Sequence, residues 1–327
     1  MITKRTVLVL GAGASVPFGF PSGGQLLEEI CDKLSSENSE EFKFLLLYAP
    51  KPRDIITFRD ALSRSGQPSV DAFLENRTEF IDVGKGAIAM ALLPYERTEA
   101  LFEGKRPENW YQYLFNLLSA PFQKFDQNRL SIVTFNYDRS LEHYLFTALK
   151  NTYKLTDQKC AETLSLIPII HVYGKLGPLP WERIEREFFN SQTNAVPFDS
   201  TCDPNLISHE NYEWYKNIWF NLAKDNIKII HEGIEDDKEF NKAHQLLKSA
   251  ERICFLGFGY HEINLERLRI DSLCHPDDPV REIAGTCYCL SHKQKELVRA
   301  YRHPSGYLID LYDAKVYDFL YNSVVLD

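Results

Sequence analysis

Four short, continuous apolar runs, each closed by glycine or polar turn residues and followed by a helical pattern, predict an α/β protein with a doubly wound, mainly parallel, Rossmann-like sheet and large helical insertions. The runs are TVLVLG (6–11), LSIVTFN (130–136), RICFLGFG (252–259) and AGTCYCLS (284–291). Unbroken apolar character, rather than alternation, is what a strand covered on both faces requires. The spacing supplies the insertions. Residues 12–129 separate the first two runs, whereas a parallel crossover needs only about a dozen.

Taken in order, the first run leads into a glycine-rich turn and the helical pattern GGQLLEEICDKL. Further helical patterns fill the stretch to WYQYLFNLLSAPF, so a helical insertion over about 36–124 should lie across one edge of the sheet. SLIPIIHVYG (165–174) reads as a fifth strand and IKIIHEG (227–233) as a weaker sixth. Residues 178–249, aromatic and acidic, form a second insertion. No repeat or Ser/Gly linker separates these parts, so the expectation is one domain over 1–327 with its core at about 1–35, 125–177 and 250–327.

Composition weighs against several classes. The 327 residues are 44% hydrophobic and 25% charged, as in ordinary globular proteins. A net charge of −9 leaves no broad basic face for a nucleic-acid backbone. Seven cysteines occur with no CxxC pair, which argues against structural zinc and suits a reducing cytoplasm. Cys287 and Cys289 alternate in an apolar run and would share one strand face. The first apolar run is too soon broken by Gly11 and Gly13 to be a signal peptide, and no run reaches a membrane span. A cytoplasmic location follows as the expectation.

The stretch GAGASVPFGFPSG (11–23) carries the first functional signal. Glycines after a strand let phosphates approach backbone amides at a helix start. Gly11 and Gly13 suit that task, but Val16 stands where a third glycine would complete the dehydrogenase fingerprint. No second strand ending in an acidic residue follows at ribose-binding distance, and no Gly-Lys-Ser/Thr makes a Walker loop.

At these residues the chain resembles the sirtuin-like, silent-information-regulator type of domain. Gly11-Ala12-Gly13-Ala14-Ser15 with the Gly-x-Pro-Ser segment ending in Pro21 and Ser22 resembles its nucleotide loop. TFNYD (134–138), IIHVYGKLG (169–177) and CFLGFGYHEIN (254–264) resemble its later segments, in the right order. The chain departs from the deacylases in lacking a zinc ribbon and in carrying Tyr173 directly before Gly174, where they have the catalytic histidine. These departures, and SVDAFLENR (69–77), make it more similar to the sirtuin-like NADases of bacterial anti-phage defence.

The resemblance implies NAD+ as substrate, no metal, and cleavage of the nicotinamide–ribose bond. It also implies control by assembly into an oligomer or by a protein partner, for which 178–250 is a candidate surface. The implied nucleotide contacts are Gly11, Ala12, Gly13, Ser15, Pro21, Ser22, Thr134, Tyr173, Gly174, Gly257 and Gly259. Asn136 would orient the attacking water or the ribose, since a neutral amide donates and accepts. Asp138 would hold the carboxamide or stabilise developing positive charge. His171 would take a proton, and whether it or Tyr173 fills the histidine role stays open. Structural readings stand beside these. Asn136 and Asp138 can cap the following helix, His171 can be a core histidine, and Asp71 reads as an N-cap rather than a pocket residue. His261 reads as near the adenosine and His143 as scaffold. A non-catalytic NAD or ADP-ribose binding module is the alternative function, ahead of a deacylase and, last, a dehydrogenase.

Overall fold

The computed structural model describes residues 1–46, 51–102, 108–118, 122–183, 196–199, 209–229, 237–273, 281–303, 306–324 and 326. β1 (Thr6–Leu10) and β4 (Arg252–Leu256) are the central strands, and every residue in both is buried. β2 (Leu130–Thr134) and β3 (Ile169–His171) extend the sheet on one side of β1. β5 (Glu282–Thr286) extends it beyond β4. A small antiparallel hairpin, β6 (Arg302–His303) and β7 (Gly306–Tyr307), precedes the edge strand β8 (Asp310–Tyr312). The sheet order is β3-β2-β1-β4-β5-β8 with all pairings parallel. Counting sheet strands alone, this is the 3-2-1-4-5-6 order of doubly wound dinucleotide folds, with its switch point between β1 and β4.

Helix α1 (Gly23–Lys33) starts on a capping box, in which Ser22 and Gln25 exchange side-chain and backbone bonds, and it buries Leu26 and Ile30. The first insertion then runs through α2 (Glu40–Leu45), α3 (Pro52–Ser63), α4 (Val70–Asn76), α5 (Ile81–Leu92), α6 (Thr98–Phe102) and α7 (Trp110–Leu118). α5 is apolar almost all round, as a helix enclosed by others must be, and its last seven residues are buried. Gly84 lets Leu74 of α4 close on it, since a Cβ there would lie 2.5 Å from the leucine methyls. α8 (Ser140–Tyr153) and α9 (Asp157–Leu164) connect β2 to β3, while α10 (His209–Asn226) and α11 (Lys238–Ser249) precede β4. α10 packs on α5, so the two insertions meet. α12 (Glu262–Arg267) follows β4, α13 (His292–Arg299) follows β5, and α14 (Val316–Asn322) ends the chain against α7.

Three sequence expectations change. The 227–233 run is not a sheet strand: Ile227 makes one isolated antiparallel bridge to Gly174, and 230–236 lie outside the described residues. The sixth sheet strand is β8, only three residues long and half open to solvent, so it carries no apolar run. The 284–291 run leaves the sheet at Thr286; Cys287 is buried while Cys289 is exposed with φ +63°, so the two thiols share no strand face. Among the described residues, no helix is long and apolar enough to cross a membrane.

The switch point closes on glycine. The Gly11 amide donates to the Leu256 carbonyl and the Gly13 amide to the Gly257 carbonyl, both at 3.0 Å. Gly257 sits at φ +56°, and a Cβ there would lie 2.1 Å from the Ala14 nitrogen. Gly257→Ala therefore meets both backbone strain and a main-chain clash, each costing about 1–3 kcal/mol. Urea unfolding should show a loss of about 3 kcal/mol; a loss below about 0.5 kcal/mol, the range of an ordinary surface change, contradicts this account of the loop contact.

Candidate functional site

A cleft of about 900 Å³ opens over the carboxyl ends of the strands at this switch point. Its floor is Gly11, Ala12 and Gly13 after β1, Phe135 and Asn136 after β2, and Gly257, Phe258 and Gly259 after β4. One wall carries the start of α1, with Ser22, Gly23 and Gly24, and α4, with Asp71 and Glu75. The opposite end carries Thr286 at the end of β5, Tyr288 and Leu290 after it, and Lys315 before α14.

The loop amides divide in a way the glycine pattern did not suggest. Those of Gly11 and Gly13 join the neighbouring strand, and those of Ala14 and Ser15 close tight turns on Gly11 and Ala12. The Ala12 amide takes part in none of these bonds. The first-turn amides of an α-helix likewise have no partner within the helix, so Gly23 and Gly24 offer donors at the positive end of an 11-residue helix.

Asn136 is fixed on three sides. Its Nδ2 donates to the Gly11 carbonyl at 3.1 Å and to Ser15 Oγ at 3.0 Å, and its amide donates to Thr134 Oγ1 at 3.0 Å. Ser15 Oγ in turn donates to Asp138 Oδ2 at 2.8 Å, while Asp138 Oδ1 accepts from the Ser140 amide at 3.1 Å and from its hydroxyl. Burial pushes the Asp138 carboxyl up, against the hydrogen bonds from Ser140 and Ser15. Beside it, the guanidinium of Arg139 and the carboxylate of Glu96 form a fully buried ion pair that fixes the start of α8.

The sequence-predicted residues thus separate into two layers. Gly11, Ala12, Gly13, Ser22, Asn136, Tyr173, Gly257 and Gly259 line the cleft. Ser15, Thr134, Asp138 and His171 line a void of about 10 Å³ behind it. Pro21 and Gly174 border neither space. Asp138 accepts from the amide of Ser140, the first residue of α8, as the structural reading given for it above allows. His171 is not a free base on the cleft wall: its Nδ1 faces the Asn136 carbonyl at 2.9 Å and its Nε2 faces Glu142 Oε1 at 2.7 Å. Burial works to raise the Glu142 carboxyl, but the charge and hydrogen bond of His171 outweigh it and hold the group at about 2. With the Glu142 carboxylate facing one ring nitrogen and the Asn136 carbonyl facing the other, both nitrogens are engaged behind the cleft. His171 therefore orients the Asn136 backbone from behind.

Other residues reach the cleft with weaker sequence signals. The N-cap of α4 is Ser69, whose side chain accepts from the Ala72 amide at 3.2 Å, so Asp71 is free of that duty and its expected capping role is corrected. Asp71 lines the cleft and accepts from the Tyr137 hydroxyl. Burial pushes its carboxyl up, against that hydrogen bond. Tyr173 donates to Asn264 Oδ1 at 2.7 Å and accepts from Arg267, which also donates to Glu75 Oε1 at 2.6 Å. Phe135 meets Tyr173 and Phe258 edge-on at 5.3 and 5.1 Å. At the far end Lys315 bonds Glu108 at 2.7 Å and lies over the Tyr288 ring. Val16, Ile263 and Tyr288 are apolar side chains more than 40% exposed that face this cleft, as a planar apolar ligand would need. His261 also lines it, its ring pushed down by burial, whereas His143 stacks on Phe198 away from the cleft as scaffold. No group of three or more His, Cys, Asp or Glu that could hold a metal occurs among the described residues.

No protein-family model matches the chain, and no curated protein matches it.

The buried Glu142–His171 pair makes a pH prediction. Glu142 is held below its unfolded value of about 4.5, so its contribution is full above pH 4.5 and is lost as pH falls towards 2. Urea stability of the wild type should therefore fall between pH 5 and 2 by on the order of 3 kcal/mol more than that of Glu142→Gln. Parallel pH curves for the two proteins would contradict the ion pair.

Proposed function

We propose that the chain is an NAD+ glycohydrolase, releasing nicotinamide and ADP-ribose. The observation that carries this reading is the fixed Asn136 amide on the floor of a switch-point cleft whose one wall holds both the α1 start and the α4 carboxylates. In this reading the pyrophosphate meets Ala12, Gly23 and Gly24, the nicotinamide ribose lies over Asn136, and the adenosine extends towards Tyr288 and Leu290. Asn136 presents its amide to the ribose or to the incoming water. Water attacks the anomeric carbon, and the C–N bond breaks with its electron pair moving to the pyridinium nitrogen. Nicotinamide leaves neutral, and the water's proton passes to solvent. An oxocarbenium-like transition state needs fixed dipoles and a placed water more than a strong nucleophile.

The likeness to sirtuin-like NADases extends the proposal to NAD depletion in anti-phage defence, in the cytoplasm, under control of an oligomer or an activating partner. The candidate surface for such a partner, 178–250, is interrupted by residues outside the described set. A second reading, a non-catalytic NAD or ADP-ribose binding module, is favoured by one observation: both His171 ring nitrogens are engaged away from the cleft.

Purified protein at high concentration, incubated with NAD+, should release nicotinamide measurable by chromatography, and Asn136→Ala should lower the rate at least about a hundredfold. Equal rates in the two proteins contradict the role of Asn136. NAD+ binding without release by the wild type favours the binding module.

A further inference from the structure

The ionisable groups on the cleft surface are unusual for a site that receives a pyrophosphate. Among the described residues, the lining includes Asp71, Glu75, Glu108 and Glu262 against one lysine, Lys315, and that lysine is bonded to Glu108. A ligand carrying only negative charge gains from the α1 start but is repelled by α4. A ligand with a fixed cation one ribose away from its pyrophosphate gains from both.

The α4 carboxylates are not equivalent. Glu75 is engaged by the guanidinium of Arg267, which also donates to Tyr173, so its charge is answered within the protein. Asp71, one turn earlier on the same face, accepts from the neutral hydroxyl of Tyr137. Tyr137 follows Asn136 directly in the chain, so this bond ties the carboxylate to the segment holding the amide. Phe135 and Tyr173 supply aromatic surface at the same end of the cleft, and rings of this kind attract cations as well.

We infer that Asp71 is a specificity-determining residue that selects the oxidised, cationic pyridinium nucleotide over its reduced, neutral form. This inference rests on the nucleotide reading of the cleft. The Tyr137 hydroxyl sets the position of the carboxylate, and the α1 start sets the position of the pyrophosphate. The α1 start and Asp71 lie on one wall of the cleft, so a single dinucleotide meets both. Asp71 takes no part in breaking the bond.

The test uses the full chain and two probes: carba-NAD+, a cationic analogue whose glycosidic link cannot be hydrolysed, and NADH, whose ring is neutral. Calorimetric titration of the wild type should show carba-NAD+ binding about tenfold more tightly than NADH, the scale of one partly screened charge pair. Asp71→Asn keeps the shape of the side chain and an acceptor for Tyr137, and should remove the preference by weakening carba-NAD+ while leaving NADH within about twofold. Raising salt should shrink the wild-type preference too, a measurement that needs no variant to fold. Equal wild-type affinities, or a preference that survives in Asp71→Asn, overturn the role of Asp71 and leave the nucleotide cleft standing. Failure of the wild type to bind either probe overturns the nucleotide reading, and the inference with it.

Discussion

The contact between the loop after β1 and the loop after β4 is the constraint on which the site depends. Gly11 and Gly13 donate to the Leu256 and Gly257 carbonyls, and Gly257 turns back at φ +56° beneath Ala14. Side chains at these positions would push apart two loops that leave adjacent parallel strands. Their approach draws the main chain of the first loop into the sheet edge and presents the Gly11 carbonyl sideways. Asn136 binds that carbonyl, so the amide at the cleft floor is positioned by the glycine contact itself. Glycines in such loops usually admit a phosphate; here they first admit the backbone of the loop after β4.

Behind the cleft lies a second, buried polar layer. Ser15, Asp138 and Ser140 form one chain of hydrogen bonds, and His171 with Glu142 forms another, and both reach Asn136. Buried polar groups carry a large cost unless every donor and acceptor is matched. Matching confers rigidity in return, and a rigid amide is what electrostatic stabilisation of a developing cation requires. The histidine and aspartate that resembled reacting groups are hydrogen-bonded in this layer, behind the asparagine that lines the cleft.

Much of the fold is legible in the sequence because the sheet interior imposes a strong pattern. β1, β2 and β4 are unbroken apolar runs and stand where those runs predict. β8 is not legible, because Asp310, Leu311 and Tyr312 lie at an edge that needs little burial. The site follows the same logic. Asn136, Tyr173 and the glycines are visible because they follow apolar runs, at the strand ends where open α/β sheets bind ligands. Asp71 is masked by a local ambiguity, since an aspartate at a helix start resembles a cap and only the Ser69 bond resolves it. Glu142 gives no signal: a glutamate in a helix is ordinarily exposed, and what buries it is a histidine 29 residues away.

The account turns on where a dinucleotide's anionic centre sits. A crystal structure of the protein with ADP-ribose measures this directly. The account predicts the pyrophosphate within about 3 Å of the Ala12, Gly23 or Gly24 amides, with the terminal ribose over Asn136 and the adenine towards Tyr288. A pyrophosphate bound elsewhere on the molecule, or a cleft that stays empty at saturating ligand, contradicts it.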